Sequence, residues 1–201
     1  MTLDDLLGHP ELTRLARSLA GAPGRALDAA PPTRRAAIAL VLRLGALREP
    51  ELLMIKRAEM ERDPWSGHVA CPGGREEPGD RDLEQTAIRE TMEETGIDLA
   101  RVGRILGTLD DISPRTPVLP PILIRPYVAA VPSGVEIIQS DEVAAAFWVP
   151  LAALREVTAW RKDRVHVAGV PREVETFTHG EYLVWGLTER VLRQLLERLA
   201  T

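Results

Sequence analysis

Pro72-Gly73-Gly74 constrains this chain more than any other short stretch, because it opens a loop that runs into the clearest helical pattern in the sequence, Asp82 to Thr95. Adjacent glycines permit backbone angles and close approaches that side chains forbid. Leu83, Ala87, Ile88 and Met92 give the helix its apolar face. Asp80 or Asp82 can cap its start, and Gly96 stops it.

Around this loop and helix the chain alternates strands and helices irregularly. The run RRAAIALVLR over 34–43 suits a buried strand, and ELLMIKR over 51–57 reads as its partner after the break at Glu49-Pro50. Further strands are expected over 101–109, 122–131 and 145–149, divided by loops that hold Pro114, Pro117, Pro120, Pro121 and Pro132. A hairpin is expected over 164–177, around Gly169 and Pro171. A last helix spans about 186–199, with Leu187, Val191, Leu192, Leu195, Leu196 and Leu199 as its buried stripe. This mixture lacks a regular βαβ repeat and predicts an α+β fold.

At the N-terminus, Leu3, Leu6, Leu7, Leu12, Leu15 and Leu19 recur at helical spacing, interrupted by His9-Pro10. They predict a short turn, then a helix over about 10–20 that ends at Gly21. An Ala/Gly/Pro-rich linker follows. The expected division is an N-terminal helix and linker over 1–32 and a compact domain over 33–201. The amphipathic helix packs either on that domain or on a second subunit, which leaves a homodimer open.

Composition narrows the function. Lys+Arg 25 against Asp+Glu 30 gives a net charge of −5, which argues against sequence-independent nucleic-acid binding. Cys71 is the single cysteine, so neither an intrachain disulfide nor a thiol-based zinc site is available. No apolar stretch approaches the roughly 20 residues that cross a bilayer. The start, with Asp4 and Asp5, lacks the basic and apolar regions of a secretory signal. A cytoplasmic protein without a membrane partner is expected.

The chemistry concentrates in CPGGREEPGDRDLEQTAIRETMEETGI over 71–97. Glu90 and Glu94 lie one helical turn apart on one face, and Arg89 and Glu93 form a second i,i+4 pair beside them. Three carboxylates within about a turn repel one another unless cations compensate. Hard divalent ions take such oxygens, and Mg²⁺ often adds substrate phosphates to complete its shell. A solvated acidic helix face is the alternative for the glutamates alone; Gly-Gly alone mostly marks a turn, but Pro72-Gly73-Gly74 combined with the glutamates at this spacing argues against that alternative.

The segment resembles the Nudix box, G-x5-E-x7-R-E-U-x-E-E-x-G-U, where U is a bulky aliphatic residue. Gly74, Arg89, Glu90, Glu93, Glu94, Gly96 and Ile97 match its positions. Asp80 stands where the first Glu belongs, the spacing from it to Arg89 is one residue longer, and Thr91 replaces an aliphatic residue. The resemblance implies a Nudix fold, a mixed β-sheet sandwiched between α-helices (α/β/α). It also implies a hydrolase that cleaves a nucleoside diphosphate linked to another group, with Mg²⁺ or Mn²⁺ held by box glutamates. Glu90 and Glu94 are the implied metal ligands, Glu93 a further ligand or water-orienting base, and Arg89 the residue that orients Glu93. Family members often add a carboxylate from a later loop. Asp141 and Glu142 precede AAAFWVPL, similar to the strand before that loop, and Glu142 is the candidate. A Nudix module that binds a nucleotide or protein without hydrolysis is a third class; degenerate boxes typically lose a metal-binding Glu, and this one keeps Glu90, Glu93 and Glu94.

The surroundings of the box resemble the subgroup that cleaves coenzyme A and its thioesters. That subgroup shares the Asp substitution and the longer spacing, and carries L-L-T-x-R-S-x3-R-x3-G-x3-F-P-G-G upstream. Leu53, Arg57, Arg62, Gly67, Pro72, Gly73 and Gly74 match; Ile55, Ala58, Cys71 and one added residue between Arg62 and Gly67 depart. Tyr182 and Val184-Trp185-Gly186-Leu187-Thr188 also look like the subgroup's approach to its final helix. The implied products are 3′,5′-ADP and 4′-phosphopantetheine. Another nucleotide, such as ADP-ribose, NADH, a dinucleoside polyphosphate or a dNTP, is the alternative that the departures keep open. Arg57 and Arg62 are candidate phosphate contacts, since guanidinium pairs bidentately with phosphate oxygens; pairing of Arg57 with a carboxylate in the strand-to-loop turn is the alternative. Arg115, Arg125 and Lys162 are unranked candidates for reading a 3′-phosphate. Cys71 reads as a small buried side chain, His68 as a loop hydrogen-bonding group, and Trp65 as a base-stacking or covering ring. His166 and His179 carry no assignment.

Overall fold

The computed structural model describes residues 2–27, 34–61, 65–114, 121–167 and 170–200. Two helices, α1 (Leu3–Leu7) and α2 (Pro10–Gly21), precede the long strand β1 (Arg34–Leu44) and its neighbour β2 (Pro50–Arg57). Short strands β3 (Val69–Ala70) and β4 (Gly73–Arg75) lead into α3 (Leu83–Thr95) and the single turn α4 (Leu99–Val102). Strands β5 (Arg104–Thr108), β6 (Ile122–Ala130) and β7 (Val143–Pro150) follow, then α5 (Leu151–Arg155). The chain closes with β8 (Trp160–Val167), β9 (Val170–His179), β10 (Tyr182–Trp185) and α6 (Leu187–Ala200).

The first seven strands form one mixed sheet. Strand β1 is its spine: it pairs in parallel with β6 along nine residues, from Arg34 against Ile122 to Leu42 against Ala130. On its other edge β1 pairs with β2 only near the turn, Leu42–Leu44 against Leu52–Pro50. Below that turn the two strands part, and β4 takes the vacated edge of β1 while β3 takes that of β2. The chain crosses the gap at Pro72, whose carbonyl accepts from Ala39 N–H at 2.8 Å. This wedge delivers Gly73 and Gly74 to the middle of the sheet. Strands β8, β9 and β10 form a separate antiparallel sheet.

Alternation along β1 supplies both faces of the main sheet. Leu40, Leu42 and Leu44 face a core built with Leu6, Leu12, Leu15 and Leu19 of α1 and α2 and with Val191, Leu192, Leu195 and Leu199 of α6. Ala37, Ala39 and Val41 face the other way, against Leu83 and Ala87 of α3 and Leu99 of α4. The result is a mixed sheet between helical layers, as the α/β/α expectation required.

The N-terminal segment packs on the domain's own core. Leu19 reaches β5 where Gly107, at φ +151°, leaves room; a Cβ there would lie 2.8 Å from that of Leu19. Beyond α2, Gly24 N–H donates to Thr108 O at 3.1 Å and Asp111 N–H to Arg25 O at 3.0 Å, so residues 24–25 run beside the chain that leaves β5. Residues 28–32 of the expected linker lie outside the described residues.

One local expectation is corrected and another is extended. The strand expected from 101 starts at Arg104, because Asp98 accepts from Arg101 N–H and starts the turn α4. The expected hairpin over 164–177 is the β8–β9 part of a three-stranded sheet, and Tyr182–Trp185 forms its third strand. Gly186, at φ +72°, separates that strand from α6.

Candidate active site

Helix α3 carries its polar load on a closely packed face. Asp82 is the N-cap, accepting from Gln85 N–H at 2.9 Å, and Gly96 ends the helix in the left-handed region at φ +71°. Thr91 and Thr95 are fully buried, yet each hydroxyl donates to a carbonyl one turn back, Thr91 to Ala87 O at 2.7 Å and Thr95 to Thr91 O at 2.6 Å. A threonine thus fits at the aliphatic position of the box, with its hydroxyl satisfied inside the helix.

Asp80 does not cap α3. Its carboxylate takes both Nε and Nη2 of Arg89 at 3.0 Å each, and also accepts from Thr86 Oγ1 at 2.9 Å and Glu77 N–H at 3.0 Å. The Arg89 guanidinium holds the Asp80 carboxyl well below the usual carboxylate range. Arg89 in turn donates to Glu90 at 2.9 Å, Glu93 at 3.0 Å and Arg75 O at 2.9 Å. One arginine therefore fixes the loop and two of the three glutamates of the box, Glu90 and Glu93, together.

Glu94 is held differently. It is 2% exposed, and its Oε2 accepts from Gly73 N–H at 2.8 Å while its Oε1 lies 3.4 Å from Arg57 Nη1. Burial pushes the Glu94 carboxyl up to about 7; the Gly73 N–H and Arg57 pull it down, and the charges of Glu90 and Glu142 oppose its ionisation. Burial likewise raises Glu90 against the pull of Arg89.

The glycines are needed for this approach. Gly73, at φ +155°, would place a Cβ 2.4 Å from Ala37 O and 2.6 Å from Ile38 Cα, both backbone atoms of β1. A Cβ on Gly74 would lie 2.3 Å from Glu90 Oε1, where the carboxylate would have to move.

Glu142 reaches the same place by docking of a loop. Ile138 N–H donates to Thr95 O at 2.8 Å and Ser140 N–H to Glu94 O at 3.3 Å, which ties residues 138–140 to the end of α3. Glu142 O accepts from Ala58 N–H at 2.8 Å, next to Arg57. The exposed Glu142 carboxylate thus stands within electrostatic reach of both Glu90 and Glu94.

Of the residues singled out in sequence, Arg57, Gly73, Gly74, Arg89, Glu90, Glu93, Glu94 and Glu142 converge here. Arg57 pairs with the carboxylate of Glu94, which lies on α3 and not in the strand-to-loop turn. Arg62 and Arg115 lie outside the described residues. Arg125 forms a bidentate pair with Asp111, 2.8 Å at each contact, and Lys162 lies 3.9 Å from Glu175 on the second sheet. Cys71 is buried, and burial pushes its thiol up to about 12. The pairing of Asp80 with Arg89 was hidden in sequence behind the capping signal of Asp82.

The donor set suits a divalent cation in chemistry. Its atoms are hard carboxylate oxygens, and burial together with mutual repulsion disfavours charge on Glu90 and Glu94 unless a cation is near. Among the described residues no three carboxylates or imidazoles converge on one point. Glu90 and Glu93 are turned to Arg89, and Glu94 to Arg57 and Gly73, so ion binding requires these carboxylates to turn.

A model of the NUDIX domain family matches residues 32–168. The chain belongs to the Nudix family. The Nudix hydrolase NudL of Yersinia pestis (strain Pestoides F), itself uncharacterised, is 31% identical over 168 residues, spanning 83% of this chain and 80% of that protein. Among solved structures, the Nudix domain of Shewanella oneidensis NrtR complexed with ADP ribose gives a TM-score of 0.55 at 19% identity, covering 86% of this chain and 90% of that one. A Nudix hydrolase from Alicyclobacillus acidocaldarius gives 0.56 at 21% identity, covering 86% and 98%. These neighbours share the fold. As a Nudix hydrolase, the protein is a pyrophosphohydrolase of nucleoside diphosphate derivatives.

Proposed function

We propose that this Nudix hydrolase cleaves the diphosphate of coenzyme A or its thioesters, releasing 3′,5′-ADP and (acyl-)4′-phosphopantetheine. The observation that carries the reading is the joint hold on Glu94. Arg57 and Gly73 both belong to the upstream motif that resembles the coenzyme A subgroup, and both contact that carboxylate of the box. The motif and the box act as one unit, so a substrate diphosphate lying on the box meets the motif's residues.

In this reading Glu90 and Glu94, with Glu93 beside them, hold Mg²⁺ or Mn²⁺. A bound divalent ion supplies neutralisation of the diphosphate oxygens and acidification of a water. Arg89 is a positioning residue: it orients Glu90 and Glu93 from behind while Asp80 fixes its own guanidinium. Arg57 exchanges Glu94 for a phosphate oxygen when substrate arrives, a swap between two anions that guanidinium accommodates. Gly73 and Gly74 keep the loop free of side chains where the diphosphate approaches. Glu142 accepts the proton of the water whose oxygen attacks phosphorus; the bridging P–O bond breaks and its electron pair leaves with the departing phosphate.

A second reading is another nucleotide, such as ADP-ribose. Ile55, Ala58 and Cys71, which depart from the subgroup motif, favour it, and the NrtR domain of the same fold is complexed with ADP ribose. A product screen by mass spectrometry separates the two. The protein and a Glu94→Gln control are incubated with Mg²⁺ or Mn²⁺ and CoA, acetyl-CoA, ADP-ribose, NADH, Ap4A and dNTPs. Formation of 3′,5′-ADP and 4′-phosphopantetheine, absent in the control, is expected. Cleavage confined to another substrate would overturn the coenzyme A assignment.

A further inference from the structure

Strands β5, β7 and β8 lie at outer edges of the two sheets and are finished differently. An edge strand offers unpaired N–H and C=O groups to any other strand, and proteins blunt such edges with charge, bulges or covering chain. Strand β5 has all three. Arg104 is exposed, the pairing with β6 shifts between Ile105 and Gly107, and Gly24 N–H donates to Thr108 O at the strand's end. Strand β8 carries Arg161, Lys162, Asp163 and Arg164 in succession.

Strand β7 has none of that protection along most of its length. Its eight residues, VAAAFWVP, include no charged side chain, and it pairs with β2 alone. The ladder skips Ala144, opposite the step from Lys56 to Arg57, and then runs regularly from Ala145 to Pro150. Among the described residues the backbone of 144–148 makes no hydrogen bond outside that ladder. Ala145 and Ala146 are only half-buried, whereas Ala37, Ala39, Ala129 and Ala130 of the inner strands are 0% exposed. The large side chains beside them are held in place. Phe147 stacks on Tyr182 at 3.9 Å and 11°, and the Arg43 guanidinium lies 4.0 Å over the Trp148 ring.

The open edge is complementary to itself. Ala146 and Trp148 lie on the α3 face of the sheet, and Phe147 and Val149 on the α6 face. Two antiparallel copies of β7 related by a two-fold axis at Phe147 keep these faces matched, because facing residues then share a face. Phe147 faces its own copy, Ala146 faces Trp148, and Ala145 faces Val149, so small side chains meet large ones. The bulged Ala144 falls opposite Pro150, which lacks an N–H and ends the ladder. Asp141 and Glu142 lie beyond that end, so no two carboxylates face each other. A two-fold contact requires such a self-matching patch.

We propose that β7 is the interface between two copies of this chain, paired antiparallel about Phe147, so that the main sheet runs on from one copy into the other. The inference stands apart from the choice of substrate.

Sedimentation equilibrium of the full chain tests it. A contact built on one short strand pair associates in the micromolar range, so the mass should rise from 22.2 kDa towards twice that value between about 1 and 200 µM. Ala145→Glu places a carboxylate opposite Lys56 within the chain, a pair that β2 and β7 accommodate, but against Val149 of the second copy. Its dissociation constant should rise about tenfold or more, with the circular dichroism unchanged. Arg104→Glu, on the β5 edge, should leave association as it is. In the unaltered protein, amide exchange within 145–149 should slow at least about tenfold over the same concentration range. A mass of 22.2 kDa throughout, with exchange in 145–149 independent of concentration, would overturn the interface. So would association that Arg104→Glu weakens and Ala145→Glu does not.

Discussion

The two faces of the main sheet are built for different ends. On one, Leu40, Leu42 and Leu44 of β1 meet leucine-rich stripes of α1, α2 and α6 in one large apolar cluster. On the other, Ala37 and Ala39 bring α3 close, and that helix keeps buried threonines and Glu94 beside its apolar residues. Large side chains remove the most apolar area from water and stabilise the fold. Small ones let a helix backbone approach until a glycine N–H and an arginine from the sheet can hold a buried carboxylate. Stability is concentrated on the first face, and reactivity on the second.

The strongest test of that division is Glu94→Gln. Loss of an outer-shell partner alone costs about 10–100-fold in a metal site, so loss of Glu94 as the proposed ligand should lower turnover by more than about 100-fold. The fold should survive, as judged by circular dichroism. An active Glu94→Gln protein would mean that the reactive face lies elsewhere.

Leu15→Ala should do the opposite. Removing a fully buried leucine costs about 2–5 kcal/mol, measurable by denaturant unfolding, with cleavage retained at low temperature. Ala39→Leu probes the close approach of α3 and should cost about 1–3 kcal/mol by overpacking. Unlike Leu15→Ala, it should also reduce turnover by shifting α3 against Gly73. Equal behaviour of the two variants would erase the contrast between the faces.

Smaller effects concern protons. In metal-free protein kept in EDTA, the folded Glu94 carboxyl titrates near 7, above its ordinary range. That contribution to stability is fully present below the ordinary Glu range and is lost as pH rises through about 7. Unfolding midpoints should fall over that interval, and Glu94→Gln should flatten the decline. The Cys71 thiol, pushed up to about 12 by burial, should resist alkylation at pH 8 until the protein unfolds.

The glutamates of α3 were legible because a helix is local: spacing alone puts Glu90 and Glu94 on one face. The long strands 34–44, 50–57 and 122–130 were legible from their apolar runs. Strands β3 and β4 were not, since two- and three-residue strands carry no period and exist only because β1 and β2 part. The third strand of the second sheet, Tyr182–Trp185, was likewise obscured by its place just before α6. The pairing of Arg57 with Glu94 links residues far apart in the chain and has no local signature.

By itself the sequence determined which of the longer segments are helical or extended, where charge clusters and where the backbone needs glycine. These properties depend on near neighbours and on the repeat of one element. Only the tertiary structure decided which arginine meets which carboxylate, and that Asp80 serves Arg89 and not the cap. Those choices depend on contacts between strands, helices and loops, and such contacts exist only after the sheet has closed and the loop 138–140 has docked on α3.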